Sequence, residues 1–183
     1  MNADTFLITT RRLVLTPISA SDASDLLDLF RDPDVRRYLL DDMLVDEGWV
    51  EAEIDASEER FGGGSLGLWS VRVGDDPALI GFAGLRPFFD PPQLQLLYGF
   101  APGSWGRGFA TEAGEAVCDI AFDVRGFDTI DAAIDVPNVR SGAVLERLGF
   151  NVVRTTDEGA DGTTFYRLNR EDRLESQPAS DPS

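Results

Sequence analysis

Two glycines lie two positions apart where an amphipathic segment begins. Gly106 and Gly108 flank Arg107 within Ser104–Ala113, and apolar residues recur with helical spacing from Ala110 onward. Glycine permits tight turns, and the first N–H groups of a helix lie unpaired at the positive end of its dipole. This turn could bind phosphate groups through the backbone of residues 107–111. A plain turn is the alternative, because short glycine patterns are weak signals.

A second helix start follows a predicted strand at Asn138. Asparagine is a preferred N-cap residue, and capping is the simplest interpretation of Asn138. Ser141 shares a helical stripe with Val144, Leu145 and Leu148, so its hydroxyl should face the sheet. A hydroxyl in the first turn that bonds its own backbone is the simpler interpretation.

The composition excludes several kinds of catalytic chemistry. The chain has no histidine, and all 16 of its basic residues are arginine. A Ser-His-Asp triad, an imidazole base and Schiff-base lysine chemistry are therefore excluded. The single cysteine, Cys118, excludes an internal disulfide and multi-cysteine metal sites. Cys118 lies on the apolar stripe of its predicted helix and is interpreted as a core residue, and no metal is expected.

The charge balance limits the possible partners. The chain has 33 acidic residues and a net charge of −17, which opposes binding to nucleic acid or an anionic membrane. The same charge favours a cationic substrate. No apolar run approaches the roughly 20 residues of a membrane span, and residues 1–12 contain no signal core. We expect a cytoplasmic protein.

The elements that position these residues follow from hydrophobic periodicity. Period-two patterns predict strands and period-3.6 patterns predict helices. Predicted strands lie at 7–18, 68–73, 79–85, 94–100, 128–134, 152–155 and 163–168, and predicted helices start at 21, 33, 46, 110 and 139. Alternating strands and helices imply an α/β fold with a mixed sheet. We predict a single domain over residues 1–169 and a disordered tail over residues 170–183.

Together the two helix starts resemble the GCN5-related N-acetyltransferase (GNAT) superfamily, and most closely its RimJ/RimL-like branch. The resemblance rests on Tyr98-Gly99-Phe100, Trp105–Ala113, Asn138-x-x-Ser141 and Leu145–Phe150. It implies a mixed sheet of about seven strands, splayed in the middle and flanked by about four helices.

The resemblance also implies how acetyl-CoA would bind. The glycine loop and helix start would hold the pyrophosphate, and the unpaired backbone of the preceding strand would pair with the pantetheine arm. Asn138 matches a residue that hydrogen-bonds this arm, and Ser141 matches a serine proposed to protonate the departing thiolate. The implied donor-binding residues are Tyr98, Gly99, Phe100, Ala101, Gly106, Arg107, Gly108, Phe109, Ala110, Thr111, Asn138, Arg140 and Ser141.

Two positions depart from the family pattern. Leu145 stands where many members have a tyrosine acid, so that role would pass to Ser141, to Tyr98 or to water. Gln95 stands where many RimJ/RimL-like sequences have a glutamate base, and an amide cannot accept a proton at neutral pH. Asp135 and Glu112 are candidate replacements, although each could be a structural carboxylate. A reaction without a side-chain base is the third possibility.

The implied activity is acetyl transfer from acetyl-CoA to a primary amine. The acceptor would be a protein or peptide N-terminus or a small cationic amine, and the protein would act as a monomer or homodimer. The alternative is an acyl-CoA-binding sensor without catalytic activity, which would keep the phosphate site and lack the base.

Overall fold

Eight strands form one sheet in the computed structural model of the chain, which describes residues 6–40, 42–89, 92–157, 159 and 161–176. The sheet order is β1-β2-β3-β4-β5-β6-β8-β7. The strands are β1 (Ile8–Thr9), β2 (Leu13–Pro17), β3 (Leu68–Val73), β4 (Gly81–Phe88), β5 (Gln93–Phe100), β6 (Thr129–Asp135), β7 (Asn151–Thr155) and β8 (Thr163–Asn169). All neighbouring strands are antiparallel except β5 and β6.

Six α-helices accompany the sheet in the described residues, so the predicted mixed α/β class is confirmed, with more elements than expected. The helices are α1 (Ala23–Arg31), α2 (Pro33–Leu39), α3 (Glu47–Gly62), α4 (Phe109–Asp119), α5 (Val139–Arg147) and α6 (Arg170–Ser176). A π-helical turn, Ile120–Val124, extends α4. No described helix is both long and apolar enough to span a membrane.

The strand predicted over residues 7–18 is instead a pair of strands. The chain turns at Thr10, whose backbone N–H donates to the Leu13 carbonyl over 2.9 Å. The Thr10 hydroxyl also accepts a hydrogen bond from the Leu13 N–H over 3.0 Å. Residues 9–12 at this turn are all polar, so the apolar alternation is interrupted there, and the prediction of one continuous strand was wrong.

Helices cover both faces of the sheet, and each face has its own core. On one face, α4 and α5 bury Phe109, Val117 and Leu145 against the strands. On the other face, the cluster that includes Phe30 of α1 and Ile54 of α3 packs on β3 and β4. Side chains alternate between the two faces along each strand.

Part of the predicted tail is a helix. Residues 170–176 form α6, in which Arg173 forms an ion pair with Asp119 of α4 and donates to the Glu115 carbonyl over 3.3 Å. The contact is made by charged side chains, so the missing apolar pattern gave no sign of it. Residues 177–183 lie outside the described residues, and the domain boundary at residue 169 stays a prediction.

The two parallel strands at the centre of the sheet meet at one position and then separate. β5 pairs with β6 only between Gln95 and Asp131, whereas β4 and β5 pair along the whole of both strands. The sheet is therefore open between Gln95 and the C-terminal end of β5. This confirms the splayed sheet that the resemblance implied.

Candidate functional site

A cleft of about 1020 Å³ occupies the opening between β5 and β6. The strands form its walls, the starts of α4 and α5 lie along one side, and α2 lines it as well. A space of this size can bury most of an extended small-molecule ligand.

The glycine loop leads into α4 at one end of the cleft. Gly106 and Gly108 have φ angles of 72° and 77°, a conformation that other residues rarely adopt. The first backbone hydrogen bond of the helix joins the Glu112 N–H to the Gly108 carbonyl over 3.0 Å. In the described part of the chain, no protein acceptor is present for the N–H groups of residues 108–111. These N–H groups, at the positive end of the helix dipole, can bind a diphosphate.

Glu112 joins this loop to the turn between β1 and β2. Its Oε1 atom accepts hydrogen bonds from the Thr10 hydroxyl over 2.6 Å and from the Arg12 backbone N–H over 2.9 Å. Its Oε2 atom accepts from Arg12 Nε over 2.6 Å. Arg12 Nη1 in turn donates to the Arg107 carbonyl over 2.9 Å. One carboxylate therefore orients an arginine that holds the peptide unit immediately before Gly108.

These contacts stabilise the ionised form of Glu112. Partial burial by itself raises the pKa of Glu112, but the hydrogen bonds from Thr10 and Arg12 and the charge of Arg12 outweigh burial. The net pKa lies below the usual value. A carboxylate with a lowered pKa and two occupied oxygens is a poor proton acceptor, so the structure gives Glu112 a positioning role.

Three arginines stack on aromatic rings beside the loop. The guanidinium carbons of Arg12 and Arg107 each lie 4.7 Å from the centre of the Phe109 ring. That of Arg140 lies 4.9 Å from the Trp105 ring. Stacking orders these side chains and keeps their charge near the free N–H groups. The charge next to the loop is therefore positive although the whole chain is strongly acidic.

The start of α5 brings a serine and a tyrosine together at the cleft. Asn138 caps the helix, accepting from the Ser141 N–H over 3.3 Å. The Tyr98 hydroxyl donates to the Ser141 carbonyl over 3.1 Å. Burial raises the pKa of Tyr98 to about 12, outweighing the opposite effect of the nearby Ser141 side chain. Tyr98 is therefore protonated at neutral pH, and its hydroxyl lies against the backbone of Ser141.

The cleft brings together most, but not all, of the predicted site residues. The lining includes Tyr98, Gly99, Phe100, Gly106, Gly108, Phe109, Ala110, Thr111, Asn138, Arg140 and Ser141. Ala101, Arg107 and Asp135 are not among the described lining residues.

Two of these three residues, Ala101 and Asp135, have their backbone groups bonded within the protein. The N–H of Ala101, predicted to be unpaired, donates to the Ile80 carbonyl over 2.9 Å. Asp135 ends β6, where its carbonyl accepts from the Asn138 N–H over 2.8 Å. The ladder with β4 thus continues as far as Ala101, while Asp135 is paired in register with Thr163 of β8.

Sequence reasoning missed the contribution of α2 and of Arg12. Arg37 and Tyr38 of α2 line the cleft, and Arg12 reaches the glycine loop from about 100 residues away. No local pattern marks either contact, because both depend on how distant elements pack.

Residues 12–151 match the acetyltransferase (GNAT) domain family. The uncharacterised protein YkkB of Bacillus subtilis is 32% identical over 160 residues, which cover 85% of this chain and 90% of YkkB.

Solved structures share the fold. A GNAT-family acetyltransferase from Bacillus anthracis has a TM-score of 0.76 at 17% identity, covering 91% of this chain and 99% of its own. RimL, a ribosomal L7/L12 alpha-N-protein acetyltransferase solved with coenzyme A, has a TM-score of 0.75 at 12% identity, covering 89% and 97%.

Replacing Glu112 tests its positioning role. We expect Glu112→Gln to weaken acetyl-CoA binding severalfold and to lower the free energy of unfolding by about 1–2 kcal/mol at pH 7. Because the pKa of Glu112 is lowered on folding, its contribution is present above the unfolded pKa and is lost as pH falls through the folded pKa. The stability difference between wild type and variant should therefore shrink in acid.

Urea unfolding between pH 3 and pH 7, with calorimetric titration of acetyl-CoA, measures both effects. Glu115→Gln is the control, because Glu115 is exposed on the same helix. An unchanged affinity for acetyl-CoA in Glu112→Gln would rule out the positioning role.

Proposed function

The chain belongs to the acetyltransferase (GNAT) family, and we propose that it transfers the acetyl group of acetyl-CoA to a primary amine. The observation that carries this proposal is the cleft between β5 and β6, which extends to the free N–H groups of α4. We also propose a place in the RimJ/RimL-like branch, supported by Asn138-x-x-Ser141. The acceptor would then be a protein or peptide N-terminus or a small cationic amine.

The residues along the cleft fit an extended donor with a diphosphate. The N–H groups of residues 108–111 would bind the phosphates, and Arg107 and Arg140 would add charge beside them. The edge of β5 that faces the opening, from Tyr98 to Phe100, would pair with the pantetheine arm. The side-chain oxygen of Asn138 caps α5, so its side-chain amide nitrogen would be the atom that donates to the pantetheine arm.

Acetyl-CoA supplies a thioester carbon at which a C–N bond to the amine forms as the C–S bond breaks. The amine loses a proton and the thiolate gains one, so the site must move two protons. We propose that Ser141 protonates the thiolate and that Tyr98 replaces the proton on Ser141, because both residues line the cleft and the Tyr98 hydroxyl contacts the Ser141 backbone.

The proton from the amine leaves by a different route. Gln95 cannot accept it, and Glu112 is held by Thr10 and Arg12. We propose that water carries this proton, with Asp135 at the end of β6 as the remaining side-chain candidate.

Two further inferences concern setting and assembly. The single cysteine, Cys118, is buried on α4, as is typical of proteins from reducing compartments. We propose a cytoplasmic enzyme on this ground, and, as a separate proposal on which the cysteine has no bearing, a monomer or homodimer.

A second candidate function is an acyl-CoA sensor that binds the donor without turnover. The observation that favours it is Gln95, which places an amide at the point where β5 and β6 meet. The two functions differ in whether thiol is released.

A glycine variant tests the donor site. We expect Gly106→Glu to weaken acetyl-CoA binding at least tenfold, about 1.4 kcal/mol, by placing a carboxylate next to the bound phosphates. Gly126→Glu is a matched control, because Gly126 has a φ of 73° against 72° for Gly106 and both have open space around them. Equal losses in the two variants would remove the donor site from this loop.

Release of free thiol from acetyl-CoA, measured over a broad panel of amines, then decides between enzyme and sensor. Turnover with any primary amine supports the enzyme. Tight binding without thiol release under every condition supports the sensor.

Ser141→Ala tests the proton donor. General acid catalysis contributes about 10²–10⁴-fold, so we expect kcat to fall at least a hundredfold while the Kd for acetyl-CoA stays within about twofold. Tyr98→Phe should lower kcat less, since water can replace the proton on Ser141. Ser65→Ala, outside the cleft, is the control. A normal rate in Ser141→Ala would assign the proton transfer to another group.

A further inference from the structure

A buried amide without a partner lies where β5 and β6 meet. Gln95 is 4% exposed, and its pairing with Asp131 is the last contact before the strands separate. In the described part of the chain, its side-chain Nε2 atom has no hydrogen-bond acceptor. A buried donor without an acceptor is costly and indicates a missing water or ligand.

An arginine stands beside this amide on the same face of the sheet. Arg86 of β4 is directly opposite Gln95 of β5, so their Cβ atoms lie roughly 5 Å apart. Arg86 Nη2 lies 3.3 Å from Glu53 Oε2 of α3, and the other oxygen of Glu53 lies 3.1 Å from Arg60 Nη2. Two guanidinium groups thus share one carboxylate that is 7% exposed. The cluster has one positive charge in excess.

A small cavity lies beside Arg86. Its volume is about 40 Å³, and apart from Arg86 and Glu53 its walls are apolar, with Trp49 the largest side chain. Leu39 and Leu97 line both this cavity and the large cleft, so the two spaces adjoin. Such a cavity can hold a few non-hydrogen atoms next to the place where an acceptor would meet the donor.

We propose that this cluster is an acceptor subsite that recognises a carboxylate. The acceptor is then an amine with a nearby carboxylate and a small apolar group, as in an α-amino acid. This inference rests on the proposed acetyl transfer to an amine, and it replaces the peptide N-terminus or cationic amine by an amino acid as the acceptor. Arg86 lines the small cavity and presents donors that a carboxylate can accept, and the excess charge of the cluster favours an anion. Gln95 lines neither space and adds a buried donor directly opposite Arg86.

The same geometry argues against a polyamine at this position. A second ammonium group would lie next to the unbalanced charge of Arg86 and Arg60 in a buried place, where repulsion is poorly screened. The acidic surface of the whole chain acts over longer distances, where salt weakens it. The local charge therefore decides which acceptor fits.

Matched amines test the proposal directly. Alanine, alaninamide and ethylamine differ only in bearing a carboxylate, a carboxamide or neither, and valine, valinamide and isobutylamine form a second set. We expect KM to be at least tenfold lower for the amino acids, a difference typical of a charged hydrogen-bonded pair. Calorimetric binding of each amine to the protein without acetyl-CoA should show the same order.

Two variants separate recognition from a structural role. Arg86→Gln should raise the KM for alanine at least tenfold and leave that for alaninamide unchanged. Glu53→Gln should lower the KM for alanine, because Arg86 loses its competing carboxylate. A purely structural ion pair would change the KM values for all three amines together in both variants.

Arg154→Gln, on β7, is the control. If Arg86→Gln does not fold, Glu53→Gln alone decides between recognition of the carboxylate and a structural role.

The other outcomes are equally decisive. Thiol release without preference for the carboxylate, or with preference for a diamine, overturns this subsite and leaves the proposed acetyl transfer standing. Absence of thiol release with every amine overturns the proposed function. In that case the binding series without acetyl-CoA still decides whether the cluster recognises a carboxylate.

Discussion

The whole site depends on β5 and β6 pairing at a single position. A parallel pair normally satisfies the backbone groups of both strands along its length. Here the ladder ends at Gln95 and Asp131, and the facing backbone edges beyond it border an open cleft. Backbone groups at an open edge require partners, so the opening is prepared for a ligand that can pair with a strand. The starts of α4 and α5 then lie along its side.

Two positively charged groups lie near the cleft within an acidic chain. Arg12, Arg107 and Arg140 lie near the start of α4, and Arg86 lies near the point where the strands meet. The first group suits a diphosphate, and the second is the proposed partner of a carboxylate. Interactions at such short range are less screened than those of the surface charge, so net charge is a poor guide to the ligands.

Rigidity at the two ends of the cleft has different origins. At the donor end, Glu112 and Arg12 fix a loop whose glycines would otherwise be free to move. At the other end, Arg86 and Glu53 link β4 to α3. Each ion pair joins elements far apart in sequence, and each is partly buried. Such a pair contributes little net free energy to folding, so its main effect is to fix the relative positions of the elements that it joins. The two ion pairs thus involve helices on different faces of the sheet.

The sequence by itself determined the features that depend on local geometry. The left-handed conformation of Gly106 and Gly108, the cap at Asn138 and the period of the helices all follow from the preferences of a few neighbouring residues. Those preferences, with the order of the elements, were enough for the mixed α/β class, whereas the opening in the sheet was implied by the family resemblance. Only the tertiary structure decided that Glu112 holds Arg12, and that Gln95 lies buried beside Arg86. Such contacts join residues from separate elements, and their partners are chosen by packing and burial, which no local pattern records.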